Sequence, residues 1–177
     1  FYWVVRNNEV PAYQWFIQRL WELEYELKRN RDYGQIDMSY YVEINVYITG
    51  KLEEEERNSA PPFMFSSSRE ALDPYCEPFF MPEQLYDAMM SPTVKASDQF
   101  SAMQDVNTPN RFQDIFIWKG RPVWNDIFST IRDIRQHPDI GVCFCGTPVI
   151  GKDLKDMCEQ YSDDQDDVIF HLHKENF

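Results

Sequence analysis

Several things are missing from this sequence, and each absence excludes a class of protein. No apolar run approaches the ~18 residues that a membrane helix needs, so no stretch of the 177 residues reads as a span. There is no excess of positive charge. Lys and Arg number 17 against 30 Asp and Glu, a net charge of −13, whereas general nucleic-acid binding wants a basic face. A nucleotide ligand is not excluded, because a few local arginines suffice. The cysteines, Cys76, Cys143, Cys145 and Cys158, make no C-x-x-C pair. A disulfide framework belongs to small secreted domains with little core, so the four read as reduced thiols in a cytosolic setting. No secretory leader is visible: the first residues are strand-like, without a basic stretch or a small-residue cleavage site. What the chain does have is core material, 43% hydrophobic and 16% aromatic residues, enough for one domain of ordinary size.

Phe1-Tyr-Trp-Val-Val5 is fully apolar and reads as a central strand buried on both faces. A chain rarely starts inside its own core, so the sequence is expected to be a piece with upstream residues missing. Arg6 follows at once, and Asn7 to Pro11 is a turn able to cap a helix. That helix is expected from Pro11 to Arg29, with Tyr13, Phe16, Ile17, Leu20, Leu23 and Leu27 at helical spacing. A second strand is expected over Tyr40–Thr49. Residues 51–114 differ in composition. They hold the charge run Glu53 to Arg57, serines at 66–68 and prolines at 74, 78, 82, 92 and 109, and only Pro82–Met90 reads as a short helix. So long a loop is uncommon inside a compact domain. The stretch reads as a loop-rich insertion, either a poorly ordered surface loop or a regulatory or docking element, and as dispensable for the fold.

Order returns at Ile115. Lys119-Gly-Arg-Pro122 is a basic turn, and a helix is expected from Val123 to Gln136, stopped by His137-Pro138. An apolar strand, Ile140–Phe144, then breaks at Cys145-Gly-Thr-Pro148 into a helix running to Tyr161, and a last strand spans Val168–His173. Strand and helix alternate. That order predicts an α/β fold, a three-layer parallel sheet with right-handed crossovers. In such a sheet the segments after each strand share the carboxyl edge, where ligands of open α/β folds bind. Arg6-Asn7, Thr49-Gly50, Cys145-Gly146 and Lys174–Phe177 are therefore expected to converge on one crevice.

Arg6 ends the first strand. Where an NAD enzyme carries a carboxylate, an arginine accommodates the 2′-phosphate of NADP, since a guanidinium matches phosphate bidentately. Arg121 is a second candidate phosphate ligand, and each arginine taken alone equally fits a surface residue. Gly146 lets the backbone approach a ligand closely. Cys145 fits an inert thiol or a residue at the reacting end of a nicotinamide; no general base is set beside it by the sequence, so it is not read as a nucleophile. Strand-Gly-helix turns are common in every α/β protein, and this one fits plain packing as well as a ligand. His171 and His173 face one side of a strand but lack a third and fourth ligand, which favours a structural pair over a metal site.

Taken together, Phe1-Tyr-Trp-Val-Val-Arg6, Trp15-Phe16, Asn45-Val-Tyr-Ile-Thr-Gly50, Gly120-Arg-Pro-Val-Trp124, Ile140-Gly-Val-Cys-Phe-Cys-Gly146 and His173-Lys-Glu-Asn-Phe177 resemble the C-terminal half of the dehydrogenase region of NADPH oxidases, the respiratory burst oxidases. The resemblance covers nearly everything outside 51–114. It implies a Rossmann-like NADP-binding module of ferredoxin-reductase type, truncated at its N-terminus and carrying a long insertion. It further implies hydride transfer from NADPH to FAD, then electron transfer through haem to oxygen, giving superoxide or hydrogen peroxide. FAD would be bound mainly by an absent upstream domain, and haem by an absent membrane domain. By the same resemblance Arg6, Thr49, Gly50, Arg121 and Pro122 bind the cofactor, Cys145 and Gly146 flank the nicotinamide, with Cys145 the catalytic candidate, and Phe177 lies against the flavin. Implied partners are NADPH, the protein's own flavin and membrane domains, and regulatory subunits or a calcium-binding module, with no nucleic acid. The implied location is the cytosolic face of a membrane. The family's Gly-rich pyrophosphate loop is absent, so the piece alone is expected to bind NADPH weakly or not at all and to catalyse nothing. Cys-Gly-Thr-Pro also replaces the commoner Cys-Gly-Pro. The alternatives are a ferric-chelate reductase of the same architecture and a nucleotide-free α/β interaction module.

Overall fold

The computed structural model describes residues 1–34, 42–50, 58–64, 75–76, 78–91, 109–134, 138–163 and 168–175. They fall into two compact units, Phe1–Arg121 and Pro122–Phe177. The first unit contains β1 (Tyr2–Arg6), a 3₁₀ turn (Asn7–Tyr13), α1 (Gln14–Asp32), β2 (Ile44–Thr49), α2 (Pro82–Met90), β3 (Asn110–Phe112) and β4 (Ile115–Lys119). Its sheet has the order β1-β2-β4-β3. The first three strands are parallel, and β3 adds an antiparallel edge.

Burial along β2 does not alternate: Ile44 to Ile48 are all buried, as expected for an inner parallel strand covered on both faces. Ile44, Val46 and Ile48 join Val5, Ile115 and Ile117 in a core with Ile17, Leu20 and Trp21 of α1. On the opposite side of the pleat, Trp118 Nε1 donates to Asn45 Oδ1 at 2.8 Å. There Tyr47 stacks with Tyr2 at 6.4 Å and with Trp118 at 5.7 Å, an aromatic band across all three parallel strands. The expectation that the first strand is central and doubly buried is corrected. Among the described residues it pairs with β2 alone, and Tyr2 and Phe1 remain 36% and 56% exposed. An unbroken apolar run marks a parallel strand but not its place in the sheet. Ile115–Lys119, to which the sequence pattern assigned no element, is the third parallel strand.

The larger correction concerns 51–114. The helix expected at Pro82–Met90 is present as α2. Leu85 and Met89 are wholly buried, and Tyr86 and Met90 nearly so, all within the main core. Trp21 Nε1 donates to the Phe80 carbonyl at 2.7 Å, Tyr25 Oη to that of Cys76 at 3.1 Å and Tyr86 Oη to that of Pro61 at 2.9 Å. This part of the stretch therefore completes the core and is not dispensable. Farther along α1, Arg31 bridges Glu24 at 3.1 Å and Asp114 at 2.9 Å, joining the end of α1 to the turn before β4. Burial pushes the Glu24 carboxyl up, and its Oε2 has no partner among the described residues.

The second unit holds α3 (Trp124–Ile134), β5 (Asp139–Cys145), α4 (Pro148–Tyr161) and β6 (Ile169–Glu175). β5 and β6 are parallel and form a sheet of their own. Phe128, Leu154, Cys158, Val168 and Phe170 form its core. Ser162 Oγ donates to the Cys158 carbonyl at 2.7 Å and accepts from the Phe170 N–H at 2.9 Å, tying the end of α4 to β6. Exposure along β5 alternates strictly. Ile140, Val142 and Phe144 face the core, whereas Gly141, Cys143 and Cys145 lie on the open face.

Candidate functional site

The carboxyl edge of the first sheet gathers three segments. Arg6 pairs in register with Thr49, and Lys119 with Ile48, so the chain leaves all three parallel strands at one level. Asn7 Nδ2 donates to the Gly50 carbonyl at 2.8 Å, and Thr49 Oγ1 donates to that of Val5 at 3.2 Å. The Gly120 N–H donates to the Ile48 carbonyl at 2.8 Å. Gly50 and Gly120 leave their strands at φ of +80° and +115°, a region that L side chains rarely adopt. Those two turns present backbone, not side chain, at the edge.

Arg6 and Arg121 are exposed at this edge. Among the described residues neither guanidinium has a carboxylate partner; Glu9 accepts only the backbone N–H of Arg6, at 3.4 Å. Asn7 is 7% exposed, and its Oδ1 has no partner among the described residues. Sequence reasoning placed Asn7 at the edge beside Arg6 but gave its side chain no binding role, because an Asn after a strand commonly only starts a turn. Lys119 read only as part of a basic turn. Its ammonium is drawn inward to donate to the Met89 carbonyl at 2.6 Å, in the last turn of α2, and desolvation lowers its pKa to about 8. A cation there suits the negative end of the helix dipole.

Cys145 and Gly146 end a different sheet. Arg6, Thr49, Gly50 and Arg121 lie in the first unit, and Cys145 and Gly146 lie in the second, at the end of β5. Pro122 opens the second unit. Cys145 is exposed and pairs with Glu175. Gly146 is held against its neighbour's ring: a Cβ there would lie 3.1 Å from Phe144 Cζ. Thr147 precedes α4 in an extended conformation, and Pro148 occupies the first helical turn, where its missing N–H costs nothing. His171 accepts or donates one hydrogen bond with Asp139 at 3.0 Å, and no metal-binding group of three or more side chains occurs among the described residues. Phe177 lies outside the described residues.

The profile described as "Ferric reductase NAD binding domain" matches residues 1–159. The chain belongs to that family. Its α/β fold with a parallel-rich sheet is the one the family requires, and the family's members are oxidoreductases. The chain is 25% identical to NADPH oxidase 1 of Mus musculus over all of its length and 22% of that protein's. It is 23% identical to NADPH oxidase 5 of Homo sapiens, again over all of the chain and 17% of the relative. Over 33% of the chain and 10% of the relative it is 44% identical to NADPH oxidase 3 of Rattus norvegicus. The chain thus spans less than a quarter of the length of these curated relatives. No helix among its described residues is long and apolar enough to cross a membrane.

A nicotinamide dinucleotide suits the first edge of this ferric reductase-type domain. Among the described residues the Arg6 and Arg121 guanidiniums have no carboxylate partner, and a guanidinium matches phosphate.

Proposed function

We propose that the chain is the NADPH-binding part of a membrane flavocytochrome NADPH oxidase, with its NADPH site at the cytosolic face. The observation that carries this reading is a pair of arginines, Arg6 and Arg121, exposed at the carboxyl edge of one parallel sheet and without a carboxylate partner among the described residues. Arg6 and Arg121 hold the 2′-phosphate. Thr49, Gly50 and Pro122 also bind the cofactor. Cys145 and Gly146 flank the nicotinamide, Cys145 shaping that end without becoming covalently bound, and Phe177 covers the flavin. When bound, NADPH supplies a hydride that FAD accepts, and the electrons pass through haem to oxygen. FAD and haem belong to further domains of the protein, and regulatory subunits or a calcium-binding module act on the whole assembly.

The test is cofactor selectivity in the full-length enzyme. Arg6→Asp removes a charge-assisted phosphate contact and places a carboxylate where a ribose hydroxyl of NADH can use it. It should cut the NADPH-over-NADH ratio of kcat/KM by about ten- to a hundredfold. An unchanged ratio refutes the assignment of Arg6. A ferric-chelate reductase is the second reading, favoured by the description of the family that matches. Superoxide output that persists without iron chelates decides for the oxidase.

A further inference from the structure

We propose that Cys143 and Cys145 are a peroxide-driven dithiol switch, closing to a disulfide on the open face of the β5–β6 sheet. Both thiols are exposed, whereas Cys76 and Cys158 are buried. Alternation along β5 places Cys143 and Cys145 on the same face, opposite the core-facing Val142 and Phe144. Two residues of strand span about 6.4–6.8 Å between Cα atoms, the outer end of the ~4.4–6.8 Å range that a disulfide bridges. Closure also needs the Cβ atoms within about 3.5–4.5 Å of each other, so β5 must leave its extended form at Phe144 and loosen its pairing with Lys174 there. A bond made under that constraint is readily reduced again, which suits a reversible device.

The residue that must move is the one that holds the turn. Phe144 is wedged against Gly146 and Gly151: a Cβ on either glycine would meet its ring at 3.1 and 2.9 Å. Moving Phe144 moves the Cys145-Gly146 turn and the first turn of α4 together. His173 is the neighbour of Cys143 across the strand pair, on the same face, and is a base that can receive the thiol proton.

The chemistry balances with hydrogen peroxide as the oxidant. One thiol attacks the peroxide, the O–O bond breaks, and a sulfenic acid and one water result. The second thiol displaces hydroxide from the sulfenic sulfur, forming the S–S bond and a second water. The two thiols lose two electrons and two protons, and the peroxide is reduced to two waters. The closure rests on the geometry of the second unit alone. Its effect on turnover rests on the placement of Cys145 and Gly146 beside the nicotinamide.

The full-length protein is treated with hydrogen peroxide, digested with trypsin without reduction, and the peptide 136–152, which contains both thiols, is weighed. A loss of two hydrogens, restored by dithiothreitol, is expected, together with a reversible fall in NADPH turnover of about ten- to a hundredfold from the displaced turn. Cys143→Ser should keep the basal turnover, form no internal link, and lose the reversible inhibition. Independent oxidation of the two thiols to sulfinic acids, or oxidation of Cys76 or Cys158 first, overturns the switch. Closure with unchanged turnover overturns its coupling to the turn. Neither result bears on the Arg6 selectivity test, so the failure of this inference and that of the functional reading are told apart.

Discussion

If α2 is part of the core, truncating Leu85 must cost as much as truncating any inner residue. Leu85 has no exposed surface and lies in the same cluster as Ile17, Trp21, Val46 and Ile117. Leu85→Ala removes the buried branch and leaves a cavity that the neighbouring helix and sheet fill only in part. The expected loss is about 2–5 kcal/mol, against a total stability of about 5–15 kcal/mol for a domain. At about 2–4 °C per kcal/mol for a chain of this size, the midpoint should fall by about 4–20 °C. Urea unfolding followed by tryptophan fluorescence measures the loss, and Trp21, hydrogen-bonded to the Phe80 carbonyl, reports on the packing directly. Asp87→Ala, at an exposed position of the same helix, is the control and should stay within about 0.5 kcal/mol. Should Leu85→Ala fail to fold, Leu85→Met should cost less than about 1.5 kcal/mol, because volume is kept. A Leu85→Ala protein as stable as the Asp87→Ala control would refute the assignment of α2 to the core.

Two further outcomes follow from the geometry. Glu24 is buried and its pKa is raised above 4.5; its contribution to stability is full below the unfolded value and is lost as pH rises through the folded one. Glu24→Gln should flatten that decline, read from unfolding midpoints between pH 4 and 8, and an identical pH profile would count against a strained carboxyl. Gly146→Ala places a Cβ 3.1 Å from Phe144 at a φ of +156° and should cost about 1 kcal/mol or more; an unchanged melting temperature would show that the Phe144 wedge is loose.

The sequence alone determined much of this protein. Period and punctuation located α4 at Pro148–Tyr161 and α2 at Pro82–Met90, because proline at the first turn and a repeating apolar face are local signals. The motifs from Phe1 to Gly146 carried the family. Arg6 read as a phosphate candidate because it follows a strand, and Arg121 because it lies in a basic turn. Tertiary structure decided the rest. Ile115–Lys119 is too short an apolar run to declare itself, and becomes a strand by pairing with β2. β1 reads as central, yet among the described residues it pairs with β2 only, since side-chain composition does not say how many neighbours a strand has. The low-complexity flanks of α2 concealed that Leu85 and Met89 complete the core, because burial of a short helix depends on contacts far away in the chain. Lys119 looked like part of a basic turn, yet its amine turns inward to the Met89 carbonyl; only the fold brings that carbonyl within reach.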